Sequence, residues 1–501
     1  MVGMWRWAAV AAAVLVVAGC GAQAELDDAG GPPTAGGSPS ATDAVTAGTT
    51  QDNTDAAAAP APSGSAPCDF TGSVDDFYTL PAGAPAGPVG TVVRCQQRTD
   101  IPNLAGVGAA YRILYVTEAQ TDSSQPYQPG QQTTPRLASG LVFVPTAAAP
   151  ADGRRVVAWD HGTVGMGTDC APSRTGYSDI APVTATSAPT SSSGFVLNML
   201  ANGWVVAATD YAGLGTTTAS GDPAQLPLQY LIGPAEAFDT INAVRAARNL
   251  PQSQASTTYA VYGQSQGGHA SLFTGQLSTT YAPELTLVGV AASDPAAEMV
   301  SLVGKQWNQL VAWVLGPEVV IAWPSTNSAL LASAVTTDDG ASKGPDIAQK
   351  CVTKAVEPAA IQQFTGRQFF NNAITTNPDW QNMMTVQTPS FDPSVPVLVG
   401  QTTNDKIVLA STTAQLQQQW CAAGANLRML WIVGPNPTGT SIEALATGMT
   451  AHLQSASVDA PVVLQWLGDR FAGTNSADAA TTACTQAPPQ PQPQPQPQPL
   501  S

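Results

Sequence analysis

Short runs of apolar and β-branched residues alternate along the chain with longer segments whose apolar positions recur every three or four residues. Runs of the first kind predict buried strands, and segments of the second kind predict helices. The predicted strands are Ala110–Val116, Leu137–Val144, Arg155–Trp159, Gly203–Ala208, the run from Tyr259 towards Ser265, Leu287–Ala292, Val395–Val399 and Leu427–Val433. The predicted helices include Ala235–Asn249, Leu409–Ala422 and Pro461–Phe471. We expect an antiparallel first pair, then a mainly parallel sheet with helices on both faces, which is an α/β fold.

The N-terminus has the pattern of a secretory signal. Trp5, Arg6 and Trp7 precede the short apolar run Ala8–Val17, which is too short to span a bilayer. The sequence VAGC then resembles a bacterial lipobox, so residues 1–20 are predicted to be a lipoprotein-type signal peptide with Cys20 as the lipidated residue. An ordinary signal peptide with an incidental cysteine is the alternative. The protein is therefore expected to be exported, with membrane contact only through this lipid anchor.

The remaining chain divides by composition. Residues 21–66 are mostly Ala, Gly, Ser, Thr, Pro and Asp, and residues 487–501 are a Pro-Gln repeat, so we predict a disordered tether and a disordered tail. Residues 67–295 and 395–486 carry the alternating pattern of the α/β core. Residues 296–394 interrupt it with apolar stretches of mixed periodicity, which we interpret as an inserted cap or lid over the carboxyl ends of the strands. A second core domain without a gating role is the alternative.

Charge and cysteine content exclude some functions. The formal net charge of −17 disfavours a nucleic-acid partner and electrostatic attachment to anionic lipids. Six cysteines remain besides Cys20, an even number that permits up to three disulfides in an exported protein. Their spacings are wide and contain no CxxC pair, so no metal or redox site is expected. The sequence does not indicate an oligomeric state.

The segment YAVYGQSQGGHASLF, residues 259–273, contains the pentapeptide G-x-S-x-G between a predicted strand and a predicted helix. A serine in such a sharp strand-to-helix turn exposes its Oγ, and only small neighbours allow the close backbone approach. Ser265 is therefore the candidate nucleophile; a purely structural turn is the alternative. The amide of Gln266 opens the following helix, where it can stabilise a developing oxyanion.

A serine nucleophile needs a base, and the chain has three histidines. His452 lies beyond the last predicted strand, between a Gly- and Thr-containing segment and the predicted helix Pro461–Phe471, and fits the chain order Ser, acid, His. His269, four residues after Ser265, is expected to have a packing role instead. For the acid, Asp405 is favoured because it follows the later strand, and Asp294 stays open as the other candidate.

The oxyanion hole needs a second amide besides that of Gln266. The segment WDHGTVGMGTDC places a histidine and several glycines directly after the strand Arg155–Trp159. An early strand end of this kind supplies the second oxyanion amide in serine hydrolases of this order. We therefore assign His161 and Gly162 to the oxyanion hole, with Asp160 holding the loop. A plain glycine turn is the alternative.

Together, WDHGTVG, DCAPS, VVAATDYAGLGT, GQSQGGHA and the late Asp405–His452 pair resemble the secretory lipase family, the fungal lipase A-like branch of the α/β-hydrolases. The resemblance covers roughly residues 69–473. It implies an α/β-hydrolase fold with a helical cap, serine hydrolysis of carboxylic esters, often of lipids, and no cofactor. It also makes a disulfide between Cys170 and Cys351 plausible.

From these features we predict an exported serine hydrolase of apolar esters such as acylglycerols, most readily a triacylglycerol lipase. A short-chain or cell-wall ester esterase is one alternative. A non-catalytic envelope-binding lipoprotein that retains the hydrolase scaffold is another. The sequence leaves acyl-chain length and lid movement open.

Overall fold

A computed structural model describes residues 67–474, apart from residues 82, 85–86, 102, 176–194, 219–226 and 434–440, and also describes residues 482–483. The predicted signal peptide, the tether and the Pro-Gln tail lie outside the described residues. No helix in the described part of the chain combines the length and apolar character needed to cross a membrane.

The described strands form one sheet in the order β1-β2-β3-β5-β4-β6-β7-β8-β9-β10. The strands are β1 (Val92–Arg98), β2 (Gly108–Gln120), β3 (Thr133–Pro145), β4 (Arg154–Asp160), β5 (Val205–Thr209), β6 (Ala255–Gln264), β7 (Thr286–Ser293), β8 (Val397–Thr402), β9 (Leu427–Ile432) and β10 (Thr482–Ala483). The central strands β5-β4-β6-β7-β8-β9 are parallel, whereas β1, β2, β3 and β10 add antiparallel edges. The predicted antiparallel pair is β2 and β3, and the strands β1 and β10 were not predicted.

Helices cover both faces of this sheet. The α-helices are α1 (Val74–Tyr78), α2 (Pro172–Thr175), α3 (Phe195–Ala201), α4 (Gly233–Arg248), α5 (Gln266–Tyr281), α6 (Met299–Gln306), α7 (Leu310–Ala322), α8 (Ala332–Val335), α9 (Asp338–Ala348), α10 (Val352–Phe364), α11 (Pro378–Val386), α12 (Ala410–Ala422) and α13 (Ser441–Phe471). Side chains of α4, α5 and α12 share one core with the sheet, and those of α3 and α13 share another. Adjacent residues of β4 point to opposite cores, Val156 to the first and Val157 to the second, because strand side chains alternate.

The longer elements between β7 and β8 are all helices, α6 to α11. The apolar residues of this segment form a core of their own in which Trp313, Trp323 and Trp380 are fully buried. This core also includes Tyr230 and Leu231, which precede α4, so the insertion is packed onto the loops at the carboxyl ends of the strands. The insertion therefore lies where the sequence predicted a cap, and its gating role remains a prediction.

The surroundings of His452 differ from the sequence prediction. We expected a loop before a helix starting at Pro461, but α13 runs continuously through Pro461. The buried residues Ala456, Ala460, Val463 and Leu467 recur every three or four positions, so a single apolar stripe holds the helix against the sheet. The energy of this burial outweighs the hydrogen bond that the proline nitrogen cannot donate.

Two disulfides join described residues, Cys68–Cys95 and Cys170–Cys351. The second agrees with the pairing that the family resemblance implied. Cys421 is also disulfide-bonded. The Cys170–Cys351 bridge connects the segment after β4 to the start of α10.

Candidate active site

Ser265 occupies a strained turn between β6 and α5. Its backbone has φ 60° and ψ −116°, a conformation rarely adopted by residues other than glycine. A Cβ at Gly267 would lie 1.9 Å from the carbonyl oxygen of Asp160, and one at Gly263 would lie 2.1 Å from the carbonyl oxygen of Gly267. Both positions therefore need glycine, which is the structural reason for the G-x-S-x-G spacing.

His452 and Asp405 approach Ser265 from two other elements. The Nε2 atom of His452 lies 2.9 Å from Oγ of Ser265, and its Nδ1 atom lies 2.6 Å from Oδ2 of Asp405. Asp405 follows β8, and its Oδ1 accepts hydrogen bonds from the amides of Ile407 and Val408. The structure thus brings together all three predicted triad residues, each less than a tenth exposed.

The pKa of His452 results from opposing effects. Burial lowers it, but the charge of Asp405 and the hydrogen bond to that carboxylate raise it, and the net pKa lies above the usual value of 6.5. The protonated imidazole is therefore stabilised where it would form after taking a proton from Ser265. This is the electrostatic role of the acid in a Ser-His-Asp arrangement.

Asp294, the other candidate acid, lies close to the same pair without replacing Asp405. Single polar atoms of Asp294, Asp405 and His452 all lie within 4.8 Å of one another. Oδ1 of Asp294 accepts a hydrogen bond from the amide of Thr402 at 2.7 Å. Burial and the charge of Asp405 raise the pKa of Asp294 well above its usual value. The geometry therefore favours Asp405 as the partner of His452, with Asp294, whose pKa is raised, beside it.

These three residues are the one group of His, Cys, Asp or Glu side chains close enough to hold a metal within the described part of the chain. Their spacing is already explained by the hydrogen bond between His452 and Asp405. We therefore assign no metal to this cluster.

The side chains of the two remaining histidines hydrogen-bond other groups. Nδ1 of His269 lies 2.9 Å from Oε2 of Glu236, and its Nε2 lies 2.9 Å from the carbonyl oxygen of Gln387. Nδ1 of His161 donates to the carbonyl oxygen of Gly162, and burial lowers the pKa of His161. Neither imidazole hydrogen-bonds the hydroxyl of Ser265, so the geometry leaves His452 as the candidate base.

The loop after β4 lies close to Ser265. A Cβ at Gly162 would be 3.5 Å from the Cβ of Ser265, so the loop backbone is in contact with the serine. The hydroxyl of Tyr211 donates to the carbonyl of His161, and the two rings pack with centroids 4.6 Å apart. Gln266 opens α5, where an N-terminal amide has no acceptor within the helix. The predicted oxyanion residues therefore flank Ser265, with the His161 side chain supporting the loop.

The buried side chain of Asp160 links the strand and helices around Ser265. Oδ1 of Asp160 accepts from the hydroxyl of Thr240 in α4, and Oδ2 accepts from the hydroxyl of Ser271 in α5. Burial raises the pKa of Asp160 to about 8, despite both hydrogen bonds. Asp160 thus connects the end of β4 to the two helices beside the serine, in agreement with the predicted supporting role.

Sequence reasoning missed two residues of the site. Glu236 accepts hydrogen bonds from the side chain of Gln266 and the amide of Leu231, and also contacts His269. Gln264 donates to the carbonyl of His452. Glu236 is one of two acids in the predicted amphipathic helix 235–249, which gave no specific signal for it, and Gln264 occupies a variable position of G-x-S-x-G.

Two cavities meet at Ser265. The first, of about 80 Å³, lies beside Gln266 and under α6 and α7. The second, of about 120 Å³, extends past His452. Val311, Leu315 and Ile407 line both. Ser265 therefore borders two largely apolar spaces that share part of their lining.

Residues 181–479 match the model of the family described as secretory lipase. The chain belongs to the secretory lipase family. It is a carboxylic-ester hydrolase of the lipase and esterase class, as the sequence predicted. It is 24% identical over 430 residues to Lipase 6 of Candida albicans, covering 82% of this chain and 83% of that one. It is equally 24% identical over 418 residues to a probable inactive lipase of Mycobacterium tuberculosis, covering 81% and 84%.

Solved structures of the same fold include a rice cell wall degrading esterase from Xanthomonas oryzae, with a TM-score of 0.59 at 19% identity, covering 77% of this chain and 100% of that one. They also include Candida antarctica lipase A, with a TM-score of 0.59 at 20% identity, covering 81% and 87%. These likenesses establish the α/β-hydrolase fold.

Proposed function

We propose that this secretory lipase family member is an extracytoplasmic triacylglycerol lipase that uses Ser265, His452 and Asp405 as a catalytic triad. One observation carries the proposal: the continuous hydrogen-bonded chain from Ser265 Oγ through both ring nitrogens of His452 to Asp405, at 2.9 and 2.6 Å. Nucleophile, base and orienting acid in hydrogen-bond reach of each other are the requirement for serine acyl transfer.

The reaction follows from the position of each group. Ser265 Oγ bonds to the ester carbonyl carbon while His452 Nε2 takes its proton, and the amides of Gln266 and Gly162 hold the oxyanion. The carbon–oxygen bond to the alcohol then breaks as His452 returns the proton to the alcohol oxygen. Water attacks the acyl-enzyme with His452 as base, which releases the acid and restores Ser265. Every step uses groups of the chain itself, with no cofactor.

The apolar lining of both cavities favours a lipid ester. Side chains such as Leu302, Val303, Trp307 and Leu315 surround the approach to Ser265. Apolar walls of this kind stabilise a hydrocarbon chain by removing it from water, at about 0.8 kcal/mol per buried methylene. Relatives named as secreted triacylglycerol lipases occur in Malassezia, which supports the same substrate class.

The first test is active-site labelling with a fluorophosphonate, which phosphonylates an activated serine. We expect wild type to be labelled, and Ser265→Ala and His452→Ala to remain unlabelled under the same conditions. Hydrolysis of emulsified triolein by the wild type then tests the substrate. Full labelling of Ser265→Ala would reject the proposed nucleophile, and labelling without triolein hydrolysis would reject the substrate.

Two rival functions have specific support. An esterase acting on cell-wall or short-chain esters is suggested by the fold it shares with the Xanthomonas oryzae enzyme. A non-catalytic protein is suggested by the relative named as probably inactive. A series of esters from acetyl to oleoyl separates the lipase from the esterase by the chain length at which kcat/KM is highest. Absence of labelling in the presence of detergent would favour the non-catalytic protein.

We further propose that Cys20 anchors the exported protein to a membrane. The sequence VAGC after a short apolar run supports this attachment. Metabolic labelling with a fatty acid should mark the wild type and leave Cys20→Ala unmarked. Release of wild type into the medium without label would show that the protein is secreted free.

A further inference from the structure

The two cavities at Ser265 differ in the catalytic groups that line them. His452, Gln264 and Gly162 line only the larger cavity. Gln266 lines only the smaller one, together with residues of α6 such as Met299 and Val303. The two substituents of an ester carbonyl, the acyl chain and the alcohol, thus have two distinct spaces to enter.

The proton transfer decides which substituent enters which cavity. When the tetrahedral intermediate collapses, the alcohol oxygen must receive its proton from Nε2 of His452, at hydrogen-bond distance. The alcohol part therefore extends from the side of Ser265 on which His452 lies. The acyl chain is left with the cavity beside Gln266. We define the larger space as the alcohol cavity and the smaller one as the acyl cavity.

The walls of the alcohol cavity are mostly aliphatic. Its lining includes Leu310, Val314, Val352, Val356 and Met449, with Leu453 half-exposed at its edge. Polar groups in this lining, apart from Ser265, His452 and the backbone of Gly162, are the side chains of Thr163, Gln264 and Thr353.

No Asp, Glu, Lys or Arg occurs among the residues described around this cavity. A polyhydroxylated alcohol such as a sugar would lose its hydration there without gaining enough hydrogen bonds, because unpaired buried hydroxyls cost free energy. A phosphate-bearing alcohol would face no cation.

We infer that the alcohol cavity selects esters whose alcohol part is itself a long hydrocarbon or other apolar group. This inference rests on the proposed function and names its substrate class more closely. The enzyme hydrolyses esters that are apolar on both sides of the carbonyl. Esters of sugars and polysaccharides, with the same acyl group, are poor substrates.

The test combines two substrate series with a matched pair of variants. One series holds the octanoyl group constant and varies the alcohol through ethyl, hexyl and dodecyl esters and 6-O-octanoyl glucose. The other holds the ethyl group constant and varies the acyl chain from butanoyl to dodecanoyl. Val352→Phe narrows only the alcohol cavity, and Val303→Phe narrows only the acyl cavity. Both valines are partly buried, so each change has a similar structural cost.

We expect wild-type kcat/KM to rise along the alcohol series and to be at least tenfold higher for hexyl octanoate than for the glucose ester. Each buried methylene contributes up to about fourfold. In Val352→Phe, kcat/KM should no longer rise along the alcohol series, while the acyl series stays as in the wild type. In Val303→Phe, the acyl series should change and the alcohol series should stay as in the wild type. A higher kcat/KM for the glucose ester than for hexyl octanoate overturns the inference. It is also overturned if Val352→Phe alters the acyl series and Val303→Phe alters the alcohol series. If fluorophosphonate did not label the wild type, the proposed triad would be rejected instead.

Discussion

The side-chain amide of Gln264 donates a hydrogen bond to the main-chain carbonyl of His452 at 3.0 Å. The same nitrogen lies 3.4 Å from Nε2 of the imidazole. A Cβ at Gly162 would be 2.9 Å from Oε1 of Gln264, so this side chain also contacts the loop of the proposed oxyanion hole. Gln264, the residue before Ser265, therefore contacts both the helix that carries His452 and the loop of the proposed oxyanion hole.

We predict that Gln264→Leu lowers kcat about two- to tenfold, the effect of losing one ordinary hydrogen bond. The imidazole keeps its bond to Asp405 but is held less well towards Ser265. Gln415→Leu, which removes a hydrogen bond to Glu298 in another part of the chain, is the matched control. Equal kcat values for the two variants would show that Gln264 only supports the fold.

The two carboxylates beside His452 should respond differently to neutralisation. Asp405→Asn should lower kcat by about 10⁴-fold, because an amide holds the imidazole in the wrong tautomer. Asp294→Asn should lower it less than tenfold, since Asp294 does not hydrogen-bond the imidazole and burial and the Asp405 charge already raise its pKa, which disfavours its charged form. Steady-state kinetics on a soluble ester measures both. The reverse ranking would make Asp294 the triad acid.

The raised pKa of His452 sets the acid limit of activity. The base must be neutral to accept the serine proton, so kcat/KM should decrease as the pH falls through a pKa above 6.5. In Asp405→Asn the stabilising charge is lost and burial lowers the pKa of His452. The acid limb of its residual activity should therefore move to lower pH. A pH–rate profile of both proteins measures this shift. If the acid limb lay at the same pH in both, it would report the titration of a group other than His452.

Buried carboxyl groups should make the fold more stable in mild acid than at neutral pH. Burial raises the pKa of Asp459 to about 7 and that of Asp239 to about 7, so the folded state keeps protons that the unfolded chain has lost. The free energy of unfolding therefore falls as the pH rises from about 4 to about 8, because Asp160, with a pKa of about 8, ionises after the other two. Melting temperatures at pH 5 and pH 8 should show this decrease.

Asp459→Asn isolates one of these groups. It cannot ionise, so its melting temperature should change less between pH 5 and pH 8 than that of the wild type. Asp392→Asn is the control, because hydrogen bonds from Ser394 lower the pKa of that exposed carboxyl below the tested range. If the melting temperature of Asp459→Asn changed between pH 5 and pH 8 as much as that of the wild type, groups other than Asp459 would cause the pH dependence.

The Cys170–Cys351 disulfide should support activity as well as stability. The amide of Val352 donates to the carbonyl of Val164, and the amide of Met166 donates to that of Ala348, so this region of the insertion holds the loop beside Gly162. The double variant Cys170→Ser/Cys351→Ser should lose about 2–5 kcal/mol of stability. It should also lose kcat well below its melting temperature.

The corresponding double variant of Cys68 and Cys95 is the comparison, because that bridge lies at the β1 edge of the sheet. It should lower the melting temperature while kcat is retained. Equal losses of kcat in the two double variants would contradict a specific role for the Cys170–Cys351 bridge.

Local sequence by itself determined the central parallel part of the sheet and identified Ser265 as the candidate nucleophile. Buried parallel strands are short apolar runs, and a strained serine turn needs glycines at fixed positions, so both leave a signal within a few residues. The helix that carries His452 was missed, because Pro461 and nearby glycines and threonines look like a boundary. Only packing against the sheet, through Ala456, Ala460 and Val463, shows that the apolar stripe continues past the proline.

Tertiary structure alone decided which side chains meet. Asp294 and Asp405 follow adjacent strands and are alike in sequence, and only the hydrogen bond to Nδ1 of His452 separates their roles. The contact of Gln264 with His452 joins residues 188 positions apart. The division of the space around Ser265 into two cavities depends on the same long-range packing. No local pattern encodes such contacts, because they arise when distant segments bury their apolar faces together.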